Sequence, residues 1–199
     1  VRSHNIFAIF DKRPVLVAIA GANGAGKSTF YHSQLKDVGL IFVNADVLAA
    51  TLDIDAYRAA KLADSIRQGL VEQRESFVFE TVFSDPVGDK LAFLRSVAAK
   101  GYTTVLCFIG ISSPAVSQER VDMRVTQGGH DVPAVKVAER YPRVLANLQR
   151  AIAELPHVLI FDNESMDPPF PLVAIFRAGK LVELNQPVPA WLRALLPRD

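Results

Sequence analysis

A chain of 199 residues, half of them apolar and 22% charged, has enough material for one domain with a sizeable core. Its 22 lysines and arginines against 21 aspartates and glutamates leave a formal charge of +1, which argues against binding nucleic acid or a membrane through bulk electrostatics. A single cysteine, Cys107, excludes a disulfide framework, and Gly, Pro and charges interrupt every apolar run before it could span a bilayer, so a cytoplasmic protein is expected. In chain order, the first informative stretch is Val15-Leu16-Val17-Ala18-Ile19-Ala20, short and rich in β-branched residues, which predicts a strand buried on both faces. It runs into Gly21-Ala22-Asn23-Gly24-Ala25-Gly26-Lys27-Ser28, a full match to the phosphate-loop pattern G-x-x-x-x-G-K-[ST]. Glycines are needed there because successive N–H groups must converge on phosphate oxygens, and a Cβ would obstruct both the turn and the ligand. A helix is predicted from Lys27 to Lys36, so that residues Gly21 to Thr29 are expected to hold ATP, Lys27 the β- and γ-phosphates, and Ser28 a Mg²⁺ ion.

Gly39 closes that helix, and Leu40-Ile41-Phe42-Val43 predicts a second buried strand that delivers Asn44-Ala45-Asp46 at its carboxyl end. Ligands of open α/β sheets bind beyond those ends, which makes Asp46 a candidate catalytic residue; the competing reading is a cap for a helix starting at Val47. Ala59, Leu62, Ala63, Ile66 and Leu70 mark an amphipathic helix from Ala56 to Glu75. Phe77-Val78-Phe79 is a third strand, and Glu80-Thr81 at its end face the site, either orienting magnesium-bound water or accepting from a polar substrate. Asp85 and Pro86 are expected to open a helix that reaches Lys100.

Thr103 to Ile109 predicts the fourth strand, with Cys107 a buried, inert thiol. Ser112-Ser113-Pro114 then opens a helix whose Arg120 and Arg124, four apart, share a face. Gln127-Gly128-Gly129-His130-Asp131-Val132-Pro133 reads as a hinge, followed by a helical stretch with Arg140 and Arg143 on either side of Pro142. Two arginine-bearing helices around a glycine hinge describe a lid of about residues 115–143 over a polyphosphate, against the plainer reading of surface charge paired with Glu119, Asp122 and Glu139. His157 to Phe161 is the fifth strand, and a β-hairpin of about residues 172–184 and a short helix with Trp191 complete the chain.

Strands alternate with helices from Val15 to Phe161, so the expected fold is α/β: a P-loop kinase-like, three-layer domain over residues 1–199 with a mainly parallel five-stranded sheet, a helical lid and a C-terminal hairpin. Two functions compete. One is a small-molecule kinase, in which Asp46 takes a proton from the acceptor hydroxyl and the lid arginines neutralise the transferring group. The other is an ATPase module without a small-molecule acceptor. Asp162 is followed by Asn163 rather than a catalytic glutamate, and no histidine lies downstream, which favours the kinase.

The set comprising the phosphate loop, Phe42-Val43-Asn44-Ala45-Asp46, Phe79-Glu80-Thr81, Glu119-Arg120, the Gln127 to Pro133 segment and Arg140-Tyr141-Pro142-Arg143 resembles the zeta toxin family over roughly residues 15 to 163. The better-known members are UDP-N-acetylglucosamine kinases of toxin–antitoxin systems. The resemblance implies ATP and Mg²⁺ at Lys27 and Ser28, Asp46 as base, Glu80 and Thr81 at a sugar nucleotide, and a protein antitoxin as partner. It also implies Arg120 and Arg140 on the γ-phosphate, with Arg124 and Arg143 as alternatives to them.

Overall fold

The computed structural model describes residues 6–126, 132–164 and 169–196. At its centre is β1 (Val15–Ala20), all six residues of which are buried. It lies parallel between β3 (Phe77–Thr81) and β4 (Thr103–Gly110); β2 (Ile41–Val43) flanks β3, and β5 (His157–Asp162) flanks β4. The hairpin of β6 (Leu172–Arg177) and β7 (Lys180–Leu184) is not a separate appendage. It pairs antiparallel with β5, so the sheet has seven strands in the order β2-β3-β1-β4-β5-β6-β7 rather than five.

Alternate residues of the central strands feed two cores, one on each face, as a doubly covered parallel sheet requires. Leu16, Ala18, Phe79, Phe108 and Ile160 face one core, with α3 (Ala56–Glu72), α4 (Asp89–Ala99) and α6 (Ala134–Glu154) packed over them. Val15, Val17, Ile19, Cys107 and Phe161 face the other, under α1 (Lys27–Phe30). Burial pushes the Cys107 thiol up, in keeping with an inert core residue. Among the described residues no helix is long and apolar enough to cross a membrane.

Local departures from the expected elements have identifiable causes. The helix after the phosphate loop leaves α geometry at Tyr31–Leu35, where a wider π turn lets Tyr31 stack on Phe42 with ring centroids 3.7 Å apart and buries Leu35. The helix expected to be capped by Asp85 starts three residues later: Gly88, in the left-handed region at φ 83°, is its N-cap, and Asp85 and Pro86 lie in the preceding loop. The helix at the end of β2 is α2 (Ala45–Leu52), and its cap is Asn44, not Asp46. Asn44 Oδ1 accepts from the N–H groups of Asp46 and Val47 at 2.8 and 3.2 Å, an interaction worth about 1 kcal/mol. Pro142 sits inside α6 without ending it. The segment Gln127 to Asp131, with His130, lies outside the described residues.

Candidate active site

The phosphate loop joins β1 to α1, with Gly26 in the left-handed region (φ 88°) as the cap of the helix. Lys27 is only 7% exposed and folds back over the loop, its Nζ donating to the Ala22 carbonyl oxygen at 2.9 Å and lying 3.9 Å from Glu80 Oε1. Burial lowers the pKa of this ammonium; Glu80 and Asp46 oppose the shift, and the Arg124 guanidinium adds to it. Glu80 stands at the end of β3 beside Ile19 of β1, and its Oε2 accepts from Ser28 Oγ at 2.8 Å and Asn44 Nδ2 at 2.9 Å. One carboxylate thus ties the loop serine to the cap of α2, and the freed Asp46 lies in the first turn of that helix.

Asp46, Lys27, Glu80 and Thr81 line a common cleft of about 220 Å³. Its far wall holds three charged residues that the sequence reading missed. Asp64 pairs with Arg67 and accepts from Lys90 Nζ at 2.8 Å. Arg67 is 6% exposed, its guanidinium 4.8 Å from the centre of the Phe79 ring, and burial brings its pKa down to about 10. A signal was present: Ala59, Ala63, Arg67 and Val71 form the buried stripe of α3 at intervals of four, and a charge on such a stripe needs a partner.

The arginine-bearing helices meet the loop from above. In α5 (Pro114–Thr126), Ser117 Oγ donates to the Asn23 carbonyl oxygen at 2.6 Å, and a Cβ on Gly24 would stand 2.8 Å from the Ser117 carbonyl oxygen. Arg120 donates to the Glu164 carbonyl oxygen at 3.2 Å, and Arg140 of α6 reaches Asn23 Oδ1 at 3.5 Å. Arg124 acts electrostatically on Lys27, while Arg143 bonds within its own helix to the Glu139 carbonyl oxygen and lies 3.8 Å from the Glu139 carboxylate. Tyr141 fixes α6 by donating to the Ile111 carbonyl oxygen at 2.8 Å, and burial, with Glu164 adding to it, pushes its pKa up to about 12. Below the loop, Asn163 Nδ2 donates to the Ala25 carbonyl oxygen at 2.9 Å. Asp162 accepts the Trp191 indole N–H at 2.8 Å.

A phosphate loop after the first of five parallel strands, a helical cover and a polar cleft beyond β2 and β3 together define a P-loop kinase fold. The family model described as Zeta toxin matches residues 6–167, and the chain belongs to that family. No curated protein matches the sequence. Among solved structures it is similar to a chain of the AvrRxo1-ORF1:AvrRxo1-ORF2 complex crystallised with ATP, at 21% identity and a TM-score of 0.67, covering 89% of this chain and 63% of that one. The same complex with sulphate ions gives 22% identity and 0.64, with 85% and 60% covered. A structure of the PezAT chromosomal toxin–antitoxin system of Streptococcus pneumoniae gives 16% identity and 0.61, with 80% and 75% covered. At these identities the fold is what is shared, and this chain spans about three fifths of the length of the AvrRxo1 chains.

Proposed function

We propose that the protein is an ATP-dependent kinase that phosphorylates a hydroxyl group of a sugar nucleotide, with UDP-N-acetylglucosamine the first acceptor to test, and that it works in the cytoplasm opposite a protein antitoxin. The observation that carries this reading is that Asp46 and Lys27 line one cleft. A proton acceptor and the cation for the donor phosphates are thereby brought together beyond the strand ends, as transfer between two bound substrates requires. The family supports the reading, and so does the ATP named with the AvrRxo1 complex. The antitoxin is supported by the toxin–antitoxin system to which PezAT belongs.

In this mechanism the loop N–H groups and Lys27 hold the donor phosphates, exchanging the Ala22 carbonyl oxygen for phosphate oxygens as ligands of the ammonium. Asp46 receives the proton of the attacking hydroxyl, Glu80 and Thr81 orient the acceptor, and Arg120 and Arg140, with Arg124 beside them, answer charge on the transferring group. Mg²⁺ fits Ser28, whose hydroxyl sits against the Glu80 carboxylate among hard oxygen donors. Among the described residues no cluster of three ligating side chains could hold a metal alone, so the ion would arrive with the nucleotide. Bound there, it supplies charge neutralisation to the phosphates.

The test is Asp46→Asn, which keeps the shape and removes the basicity. Mass spectrometry of ATP with UDP-N-acetylglucosamine should show a gain of one phosphoryl group with the wild type. The variant should transfer at least roughly 10²-fold more slowly with ATP affinity retained. Steady ATP hydrolysis that leaves every sugar nucleotide unmodified and ignores Asp46→Asn would overturn the kinase reading in favour of an ATPase.

A further inference from the structure

Both arginine-bearing helices come down on the same residue of the phosphate loop. The main-chain carbonyl oxygen of Asn23 accepts from Ser117 Oγ of α5 at 2.6 Å, and its side-chain Oδ1 accepts from Arg140 Nη1 of α6 at 3.5 Å. Ser117 is fully buried, and a Cβ on the neighbouring Gly24 would stand 2.8 Å from the Ser117 carbonyl oxygen and 2.9 Å from Arg120 Cβ, so α5 and the loop are in direct contact. Val121 of α5 and Val137 of α6 form a small core with Val132, which packs the two helices against each other. They share one point of reference on the loop, Asn23.

What Asn23 offers Arg140 is an uncharged oxygen. A guanidinium only donates, so the amide must present Oδ1 to it. Among the described residues Arg140 pairs with no carboxylate, whereas Arg143 on the same helix lies 3.8 Å from Glu139. Lys27 makes its shortest polar contact in the same manner, with the carbonyl oxygen of Ala22, so two successive residues of the loop hold the two cations through neutral oxygens. A neutral acceptor fixes where a cation sits and leaves its charge for an anion that arrives at the loop; a carboxylate in that place would cancel it. At 3.5 Å the Arg140 contact is at the long end of the hydrogen-bond range, and a charged phosphate oxygen is a stronger acceptor than an amide, so the guanidinium is held near the loop and released to the nucleotide.

We infer that Asn23 is a positioning residue, whose side-chain oxygen sets the Arg140 guanidinium over the loop for the terminal phosphate of the bound nucleotide. The inference rests on the role proposed above for Arg140 at the transferring group, and it is independent of which hydroxyl receives that group.

Calorimetry with Mg²⁺ and either ADP or a non-hydrolysable ATP analogue reads the preference for a third phosphate as the ratio of two dissociation constants. Arg140→Ala should cut that ratio about tenfold and Asn23→Ala about fivefold, the scale of a charge-assisted and a weaker hydrogen bond. The double variant should fall no further than Arg140→Ala, because Asn23 then has nothing to position. Asn23→Asp keeps the shape and the acceptor oxygen but sets an anion beside Arg140 and the phosphates, so its ratio should lie below that of Asn23→Ala. Asn23 is partly exposed and its bond to Ser117 uses the main chain, so these variants keep the docking of α5. A loop merely distorted by the substitution would weaken ADP and the analogue alike and leave the ratio unchanged. An unchanged ratio in Asn23→Ala, additive losses in the double variant, a wild-type ratio in Asn23→Asp, or a wild type that binds ADP and the analogue equally would each overturn the inference. No acceptor enters these measurements, so the kinase reading stands or falls separately, on phosphoryl transfer and its response to Asp46→Asn.

Discussion

On one side of the phosphate loop, β2 and β3 end in residues that line a cleft; on the other, β4 and β5 end beneath a tryptophan. Each side places a carboxylate at a strand end, and the two carboxylates differ in what reaches them. Glu80 accepts from Ser28 of the loop and from Asn44 at the cap of α2, and it shares its cleft with Asp46. Asp162 accepts from Trp191 of α7 (Ala190–Arg193), a C-terminal helix that packs down over β4. A place beyond the carboxyl end of a parallel strand therefore makes a residue available for binding only where nothing else in the chain has covered it.

The largest effect that separates the two sides is expected at Lys27. Lys27→Ala removes the cation that faces both the loop and the cleft, and should abolish phosphoryl transfer while weakening ATP binding, because the loop N–H groups remain. Calorimetry with ATP and a transfer assay check both parts. Full activity with unchanged ATP affinity would show that the open side is not the donor site.

Much of the open side was legible in the sequence, for physical reasons particular to each element. The phosphate loop shows because its backbone restricts which residues fit. The strand Val15–Ala20 shows because burial on both faces demands an unbroken apolar run, and the structure ends it where that run ends. Asn44 did not show as a cap, since Asn44 and Asp46 are both good capping residues and sequence does not say where the helix begins. Lys90 and Asp64 are far apart in sequence and become neighbours only when α4 packs beside α3. The closed side was less legible still: Trp191 read as part of a short terminal helix, and only the tertiary fold brings its indole N–H to Asp162. Asp85, expected as a helix cap, missed that role because Gly88, at positive φ, starts the helix later.

The closed side can be broken without touching the open one. A Cβ on Gly110, the last residue of β4, would fall inside the Trp191 ring. Gly110→Ala should displace the indole and break its bond to Asp162, with a loss of about 2–3 kcal/mol read from urea unfolding. KM for ATP and for the acceptor in the folded protein should stay within about twofold of wild type. An unchanged unfolding midpoint would mean that Trp191 does not close this edge by packing, and a large rise in the KM of the acceptor would mean that the two sides are not independent.

The smallest effect concerns the two ends of β5, which respond to acid in opposite senses. His157 begins the strand, in register with Arg177 of β6. Burial lowers its pKa, and Arg177 and Lys12 lower it further. The unfolded chain therefore takes up the proton first: stability is intact above the ordinary histidine value near 6.5 and is lost as pH falls from there towards the depressed folded value. Asp162 ends the strand with its pKa raised by burial, against the opposing hydrogen bond from Trp191, so the folded state protonates first and stability is gained as pH falls through that raised value. His157→Gln leaves the Asp162 contribution in place and removes the other, so the difference between wild type and variant isolates the start of the strand. Between pH 7 and 5 the urea midpoint of the wild type should fall relative to the variant, by a fraction of the loss expected for Gly110→Ala because His157 is only half-buried and solvent screens its neighbours. Parallel pH profiles for the two proteins would show that protonation of His157 costs the fold nothing, leaving Asp162 as the end of β5 where burial governs the charge.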